Sequence, residues 1–332
     1  MTVTRRTSLS LALAAAGLLT ACGNDQAVPP PIISAPSPTP SPTPSPTPTP
    51  TSTATRVTQN IVFAQGATQT GSIPLLLDIY QPDESCDANR PAVMFVHGGG
   101  FTSGSKGGDR VVQMADAMVA RGVNFVSINY RLEPDNPVPS PEFQAVVDAV
   151  IAEGVEDPVE AARLGPAIAS AFEDSVTALR FLEANADALC VDIDNIAYWG
   201  SSAGAFTVLQ VGYGLNQFGI ERPEPRVVVD YWGGQFRLSD LETGEAPFFV
   251  IHGTLDQTVA YQQALDLTAQ ADRVGVPYAL YSVIGAGHGF GNTGVFTNRV
   301  NGELLIDITA DFVAAHLFGG TPNYVKVDVQ RQ

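Results

Sequence analysis

The sequence predicts an α/β fold: a mostly parallel, doubly wound sheet of about eight strands with helices on both faces. Three observations predict it. Short, nearly continuous apolar runs recur between residues 92 and 281, as strands buried on both faces require. Helical 3.6-residue patterns lie between these runs. Clusters of glycine, serine, histidine and aspartate follow four of the runs directly, at the strand ends where open α/β sheets carry their reactive groups.

The chain opens differently. Arg5 and Arg6 precede an apolar run, Leu9 to Leu19, that is too short to span a bilayer and ends at Leu19-Thr20-Ala21-Cys22. This reads as an export leader over residues 1–21. Its last four residues resemble a bacterial lipobox, which implies cleavage before Cys22, lipidation of that cysteine with chains such as palmitate, and attachment to a membrane. The alternative is a plain signal peptide with a chance cysteine. The arginine pair is weakly similar to a twin-arginine signal. Gly23 stands where an aspartate would signal retention at the inner membrane, so the expectation is the outer membrane or cell surface, with the periplasm as the alternative.

Residues 22–56 form the next segment, with proline at every second position from Pro36 to Pro50. Alternate prolines hold φ and remove amide donors, so an extended polyproline II tether is expected.

The formal charge is −17, and loss of Arg5 and Arg6 with the leader carries it to −19. A polyanion of this strength argues against nucleic acid or anionic lipid as a partner. The composition, 45% hydrophobic and 15% charged, suits a globular domain from about residue 57 onward, with the last helical pattern ending at Phe318. Nothing in the sequence sets an oligomeric state.

Within that domain, Val57 to Ala64 and Leu75 to Tyr80 alternate apolar and polar residues, the pattern of half-buried, antiparallel edge strands. The buried strands are then 92–96, 124–128, 196–199, 227–229, 248–251 and 278–281. Helical patterns cover 111–120, 171–184, 207–215, 260–271 and 306–318. Between Arg131 and Glu173 the chain is longer than a compact domain needs. Ser140-Pro141 and Asp157-Pro158 look like helix starts, and Gly154 and Gly165 like stops, so two short helices are expected in an insertion over 133–165 after the fourth strand. It is either a partial lid or an elaboration of the helix layer.

The strand ends carry His97-Gly98-Gly99-Gly100-Phe101, Trp199-Gly200-Ser201-Ser202-Ala203-Gly204, His252-Gly253-Thr254-Leu255-Asp256 and Gly285-Ala286-Gly287-His288-Gly289. In order and placement these motifs resemble the α/β-hydrolase superfamily over nearly the whole folded region. The stretch HGGGFTSGS looks like the oxyanion loop of carboxylesterases and hormone-sensitive-lipase-like enzymes. HGTLD with Val259, and GAGHGF, look closer to bacterial acetyl- and feruloyl-esterase-like proteins.

That resemblance implies a serine nucleophile in a sharp strand-to-helix turn. Gly200 and Gly204 bracket Ser202, whereas Ser201 would need a glycine where Trp199 stands, so Ser202 is the expected nucleophile. Ala203 begins the following helix and its amide is one expected oxyanion donor. The resemblance supplies Gly99 and Gly100 as the others. Of four histidines, His97 and His252 read as braces of their loops and His316 as a residue of the apolar last helix. His288, flanked by glycines after the last strand, is the expected base. The family places the orienting acid at Asp256, with Asp230 and Asp240 as rivals. Phe101, Trp232 and Phe290 are candidates for an apolar substrate pocket, or packing residues.

Cys86 and Cys190 each precede a core strand. The family's strand order makes those strands parallel neighbours, which implies a disulfide away from the catalytic face. The alternative is two free thiols.

The implied activity is hydrolysis of carboxylic esters, small or polymeric, through an acyl-enzyme. A prolyl-oligopeptidase-like peptidase and a non-catalytic surface binding protein on a hydrolase scaffold are the competing readings. No metal cluster, dinucleotide fingerprint or phosphate loop occurs, and Lys106 lacks Walker spacing, so no cofactor and no metal are expected.

Overall fold

A computed structural model describes residues 55–82, 86, 88–152, 158–290 and 294–331. The leader, Cys22 and all but the last two residues of the tether lie outside the described residues. The first strand, β1 (Thr55–Thr68), turns at residues 69–70 into β2 (Gly71–Pro82), and the two pair antiparallel. β1 begins two residues before the expected boundary, so Thr55 and Arg56 belong to the sheet.

Core strands β3 (Arg90–Val96), β4 (Asn124–Ile128), β5 (Val191–Ser201), β6 (Val227–Tyr231), β7 (Phe248–Gly253) and β8 (Tyr278–Ile284) follow. A two-residue pair, β9 (Arg299–Val300) and β10 (Glu303–Leu304), stands apart, and β11 (Lys326–Gln330) closes the main sheet. The spatial order is β1-β2-β4-β3-β5-β6-β7-β8-β11, antiparallel at the β1 and β2 end and parallel from β4 onward. This is the α/β-hydrolase arrangement, with nine strands in place of about eight. The added strand comes from alternating Lys326-Val327-Asp328-Val329-Gln330 beyond the last helix. It pairs parallel with β8, and Val329 alone in it is buried. The folded domain therefore runs past Phe318.

Alternation along the strands divides the interior into two layers. In β3, Ala92, Met94 and Val96 join one apolar cluster and Val93 and Phe95 the other. The first cluster packs beneath α2 (Pro141–Ala152), α3 (Pro158–Ala184), α5 (Ala203–Tyr213) and α6 (Gln262–Val274), with the single turn α4 (Ala186–Leu189) leading into β5. The second packs beneath α1 (Asp109–Val119) and α7 (Leu305–Leu317).

The insertion departs from expectation. Gly165 does not end a helix: α3 runs through Gly165 and Pro166 for 27 residues. Proline removes one backbone bond, while Ala167, Ala169, Ala171 and Phe172 beyond it are fully buried in the first cluster, and that burial outweighs the lost bond. Gly165 lies against α2, where an added Cβ would meet Val147 at 3.7 Å. Phe143, Val146 and Val147 of α2 bury into the cluster shared with α3.

Arg131, just after β4, anchors the root of the insertion. Its Nε and Nη2 donate to Asp174 on α3 (2.6–3.1 Å), Nη2 also to Glu173 (2.7 Å), and Nη1 to the carbonyls of Ala67 and Val138 (both 3.0 Å). Both members of the central pair are buried, with side-chain exposures of 3% and 1%. Burial pushes the Asp174 carboxyl up to about 6, against the bonds and charge of Arg131 that hold it down.

Cys86 and Cys190 are joined in a disulfide, Cα to Cα 5.8 Å. Arg90 of β3 lies level with Val191 of β5, which brings the residues before the two strands together. The bridge spans 104 residues of sequence. Its removal by Cys86→Ser is expected to lower unfolding stability by about 2–4 kcal/mol, read by urea denaturation under non-reducing conditions. An unchanged midpoint would show that the bridge constrains little.

Candidate active site

Four loops at the carboxyl ends of β3, β5, β7 and β8 meet at one point. Ser202 is the turn between β5 and α5, with φ 53° and ψ −121°, a conformation strained for any residue with a Cβ. Its amide donates to the Tyr231 carbonyl of β6 (2.8 Å), and its own carbonyl accepts the amides of Ala205 and Phe206. The flanking glycines answer to close approach. A Cβ on Gly200 would collide with the Gly204 carbonyl, and one on Gly204 with the Val96 carbonyl of β3. The turn is thus clamped between helix and neighbouring strand.

Ser202 Oγ lies 2.9 Å from His288 Nε2, and His288 Nδ1 lies 2.7 Å from Asp256 Oδ2. A carboxylate only accepts, so Nδ1 carries the proton and Nε2 presents its lone pair to the serine hydroxyl. His288 comes from a short turn after β8 (His288–Phe290), and Asp256 from the loop after β7. Burial by itself would raise the Asp256 carboxyl. Bonds from His252 and His288 and from the Val259 and Thr258 amides outweigh it and hold the group at about 2. The Asp256 carboxyl is therefore ionised above about pH 2. Its contribution to stability is present above the ordinary aspartate range and is lost as pH falls toward 2.

His252 is the support that sequence reasoning placed only loosely. It is fully buried. Its Nε2 donates to the Val259 carbonyl (2.9 Å) and lies 3.4 Å from Asp256 Oδ2, so it holds the loop that carries the acid and touches the acid itself. His252→Ala is expected to cost about ten- to a hundredfold in kcat, since a hydrogen bond to a charged group contributes about 1.5–3 kcal/mol. Steady-state kinetics read this, and an unchanged kcat would reduce His252 to packing.

The rival acids are engaged elsewhere. Asp230 is buried beneath the turn, with Oδ1 accepting the Gly233 amide (2.7 Å). Burial raises its carboxyl to about 6, against the charge of His252 and the Gly233 bond. Asp240 accepts bonds from Gln210 and Gln217. The other two histidines are engaged as well. His97 donates to the Gly98 carbonyl (2.7 Å), accepts the Tyr130 hydroxyl at its own carbonyl (3.1 Å) and stacks on the Tyr130 ring. His316 packs on Phe312 and Tyr324 along α7, and burial lowers it to about 4.

The glycine loop after β3 runs against the turn at Ser202: a Cβ on Gly98 would stand 2.7 Å from the Ser201 carbonyl and 3.0 Å from Ser202 Cβ. Gly99, Gly100 and Phe101 all have positive φ. The Gly99 carbonyl accepts the amides and hydroxyls of Thr102 and Ser103 (3.1–3.2 Å), which closes the loop on itself. Ala203 heads α5, and the first amides of a helix have no carbonyl one turn back to receive them. Lys106 pins the far end of the loop: its Nζ donates to buried Asp78 on β2 (2.6 Å), and its amide donates to Asn129. Its signal in the sequence was its rarity, one of two lysines in a strongly acidic chain.

The three aromatic candidates separate. Trp232, with φ 47°, packs edge-on to His288 (6.5 Å between ring centres) and lines a cavity of about 550 Å³ beside Ser201. Phe101 is buried against Tyr130 and Phe290 against Trp232, and neither lines that cavity. Both rings are drawn into the interior, with exposures of 6% and 2%, so they pack and do not face a ligand there. No described residue of the 133–165 insertion lines the cavity either. Among the described residues, no three His, Cys, Asp or Glu side chains are grouped to hold a metal.

Two family models match separate parts of the chain: BD-FAE over residues 77–151 and the prolyl oligopeptidase family over residues 229–305. Gut esterase 1 of Caenorhabditis briggsae is 31% identical over 148 residues, which are 45% of this chain and 22% of that protein. The chain thus spans about a fifth of the length of the curated relative it matches. Among solved structures, the apo form of Thermogutta terrifontis esterase 2 superposes with a TM-score of 0.57 at 19% identity, covering 83% of this chain and 98% of that one. A truncated carbohydrate esterase from gut microbiota superposes at 0.56 and 17% identity, covering 80% and 98%.

Proposed function

We propose that this chain, whose fold is that of the α/β-hydrolases, is a serine hydrolase of carboxylic esters. The observation that carries the reading is the continuous hydrogen-bonded series Ser202–His288–Asp256, 2.9 and 2.7 Å long, at a strained turn. Esterases among the relatives and structural neighbours support it.

The steps follow from the geometry. Ser202 Oγ attacks the ester carbonyl carbon as its proton passes to His288 Nε2. Asp256 keeps the imidazole in the required tautomer and stabilises its charge. The carbonyl oxygen, now anionic, is received by the amides of Ala203, Gly99 and Gly100. His288 returns the proton to the alkoxy oxygen, the carbon–oxygen bond breaks and the alcohol leaves. Water activated by the same imidazole then attacks the acyl-enzyme and frees the acid.

A peptidase reading has one observation in its favour, the prolyl oligopeptidase match over the loops bearing Asp256 and His288. Nitrophenyl acetate and butyrate set against a prolyl nitroanilide separate the two. Turnover of the esters with none of the anilide is expected, together with stoichiometric labelling by a fluorophosphonate. A folded protein that neither labels nor turns over an ester would sink the enzymatic reading and leave the binding-scaffold one.

We infer further that the protein is exported and held at a bacterial outer membrane or cell surface through lipidated Cys22. The support is the leader and lipobox pattern at Leu19–Cys22. Cys22→Ala is expected to abolish palmitate incorporation and release the protein from the membrane fraction.

A further inference from the structure

The glycine loop after β3 has one buried side chain on its outgoing limb. From Ser103 to Arg110 every residue but Lys106 is exposed. A Cβ at Gly107 or Gly108 would meet nothing within 4 Å, so packing does not hold this limb beyond Lys106. Upstream the loop is a closed piece. The Gly99 carbonyl accepts the Thr102 and Ser103 amides. At Gly104 the two limbs approach so closely that a Cβ would stand 2.4 Å from both the Gly98 carbonyl and His97 Nδ1. Such a loop is placed as a unit, and its position against Ser202 depends on how its two ends are held.

The incoming end continues β3, and the Tyr130 hydroxyl donates to the His97 carbonyl there (3.1 Å). The outgoing end depends on Lys106. Its amide donates to Asn129 Oδ1 (2.7 Å) and its Nζ to Asp78 Oδ1 (2.6 Å). Asp78 belongs to β2, and its side chain is 2% exposed against 10% for that of Lys106. A bulge in β1 between Thr58 and Ile61 brings the Asn60 amide to the same oxygen (2.8 Å), which fixes the carboxylate where the ammonium group meets it. A buried ion pair is a weak source of net stability but strict in geometry. What it supplies here is a fixed distance between the loop and β2.

We propose that Lys106, through its buried pair with Asp78, is the positioning residue that holds the Gly99 and Gly100 amides where the ester's carbonyl oxygen becomes anionic. Lys106 acts through the loop, and the bond making and breaking stay with Ser202 and His288. Its effect falls on the transition state, because the amides bind most strongly when the oxygen carries charge. This assignment rests on the esterase reading above and goes beyond it in naming what sets the oxyanion donors in place.

On the full chain, the test compares a nitrophenyl ester with its thionoester, in which sulfur replaces the carbonyl oxygen and accepts weaker hydrogen bonds from the same amides. The ratio of the two kcat/KM values reports on the oxyanion donors. It is taken within one preparation, so the fraction folded cancels. Lys106→Met should lower kcat for the ester by about 100-fold, the scale of a small displacement of a group that must be held in place, with KM within about twofold of wild type. Its ester-to-thionoester ratio should fall by about tenfold or more. Asp78→Asn changes no residue of the loop and keeps an oxygen for the Asn60 amide, yet it weakens the pair, and its ratio should fall in the same direction by about threefold. Lys326→Met removes the other lysine, exposed beside Asp272, and should leave the ratio as it is. If Lys106→Met does not fold, Asp78→Asn decides. A wild-type ratio in either folded variant, a loss confined to KM, or an equal fall in Lys326→Met would overturn the assignment and leave the esterase reading standing. A folded wild type that turns over neither ester would remove both.

Discussion

Ser202→Ala should lower kcat for a nitrophenyl ester by roughly 10⁶-fold, the scale on which loss of the nucleophile acts when base, acid and oxyanion donors remain in place. The variant keeps the fold, since the turn is held by backbone bonds to Tyr231, Ala205 and Phe206 and by the close approach of Gly200 and Gly204. Fluorophosphonate labelling should vanish with the activity. A companion variant separates strain from chemistry. Alanine keeps the Cβ that makes φ 53° costly, whereas Ser202→Gly removes it. Ser202→Gly should be as inactive as the alanine variant yet more stable than wild type by about 1 kcal/mol, read from thermal melts. Retention of activity above a hundredth of wild type in both would mean that the hydroxyl of Ser202 is not the nucleophile.

Arg131→Ala should destabilise the fold by about 3–5 kcal/mol. It strips Asp174 of its guanidinium partner inside α3 and removes one of the donors to the Ala67 carbonyl and the guanidinium bond to the Val138 carbonyl. The loss depends on pH. Without Arg131 the Asp174 carboxyl rises further above its value of about 6, while in the unfolded chain it stays near 4. The folded variant therefore takes up a proton that the unfolded chain does not, and lowering the pH from 7 to 5 returns part of the lost stability. Urea titrations at the two pH values check both the size and the sign. The double variant Arg131→Met with Asp174→Leu should recover much of the loss, because an apolar pair needs no charge compensation. A variant as stable as wild type at pH 7 would mean that water reaches Asp174.

The legibility of this protein follows the range of the forces involved. Strand and helix positions could be read because apolar runs and turn residues act over a few neighbours, and the register of Ser202 because Gly200 and Gly204 must lie within one tight turn. The tail Lys326–Gln330 carried an alternating pattern too short to be read as a strand without the exposed edge of β8 beside it. The stop expected at Gly165 rested on local propensity, which the burial of Ala167 to Phe172 on the sheet overrode. Phe101, Trp232 and Phe290 are alike in sequence, each aromatic and each just beyond a strand or in its loop. Only packing distinguishes the one that meets the cavity from the two that meet the core.

The sequence by itself determined the α/β class, the strand-end motifs and the short list of groups able to do the chemistry, since these depend on periodicity and on residue type. That Arg131 is buried with Asp174, and which of the three aromatic candidates meets the cavity, were decided only by the tertiary structure. Those contacts join residues tens of positions apart, and their distances are set by the order and register of strands in the sheet, which no local pattern encodes.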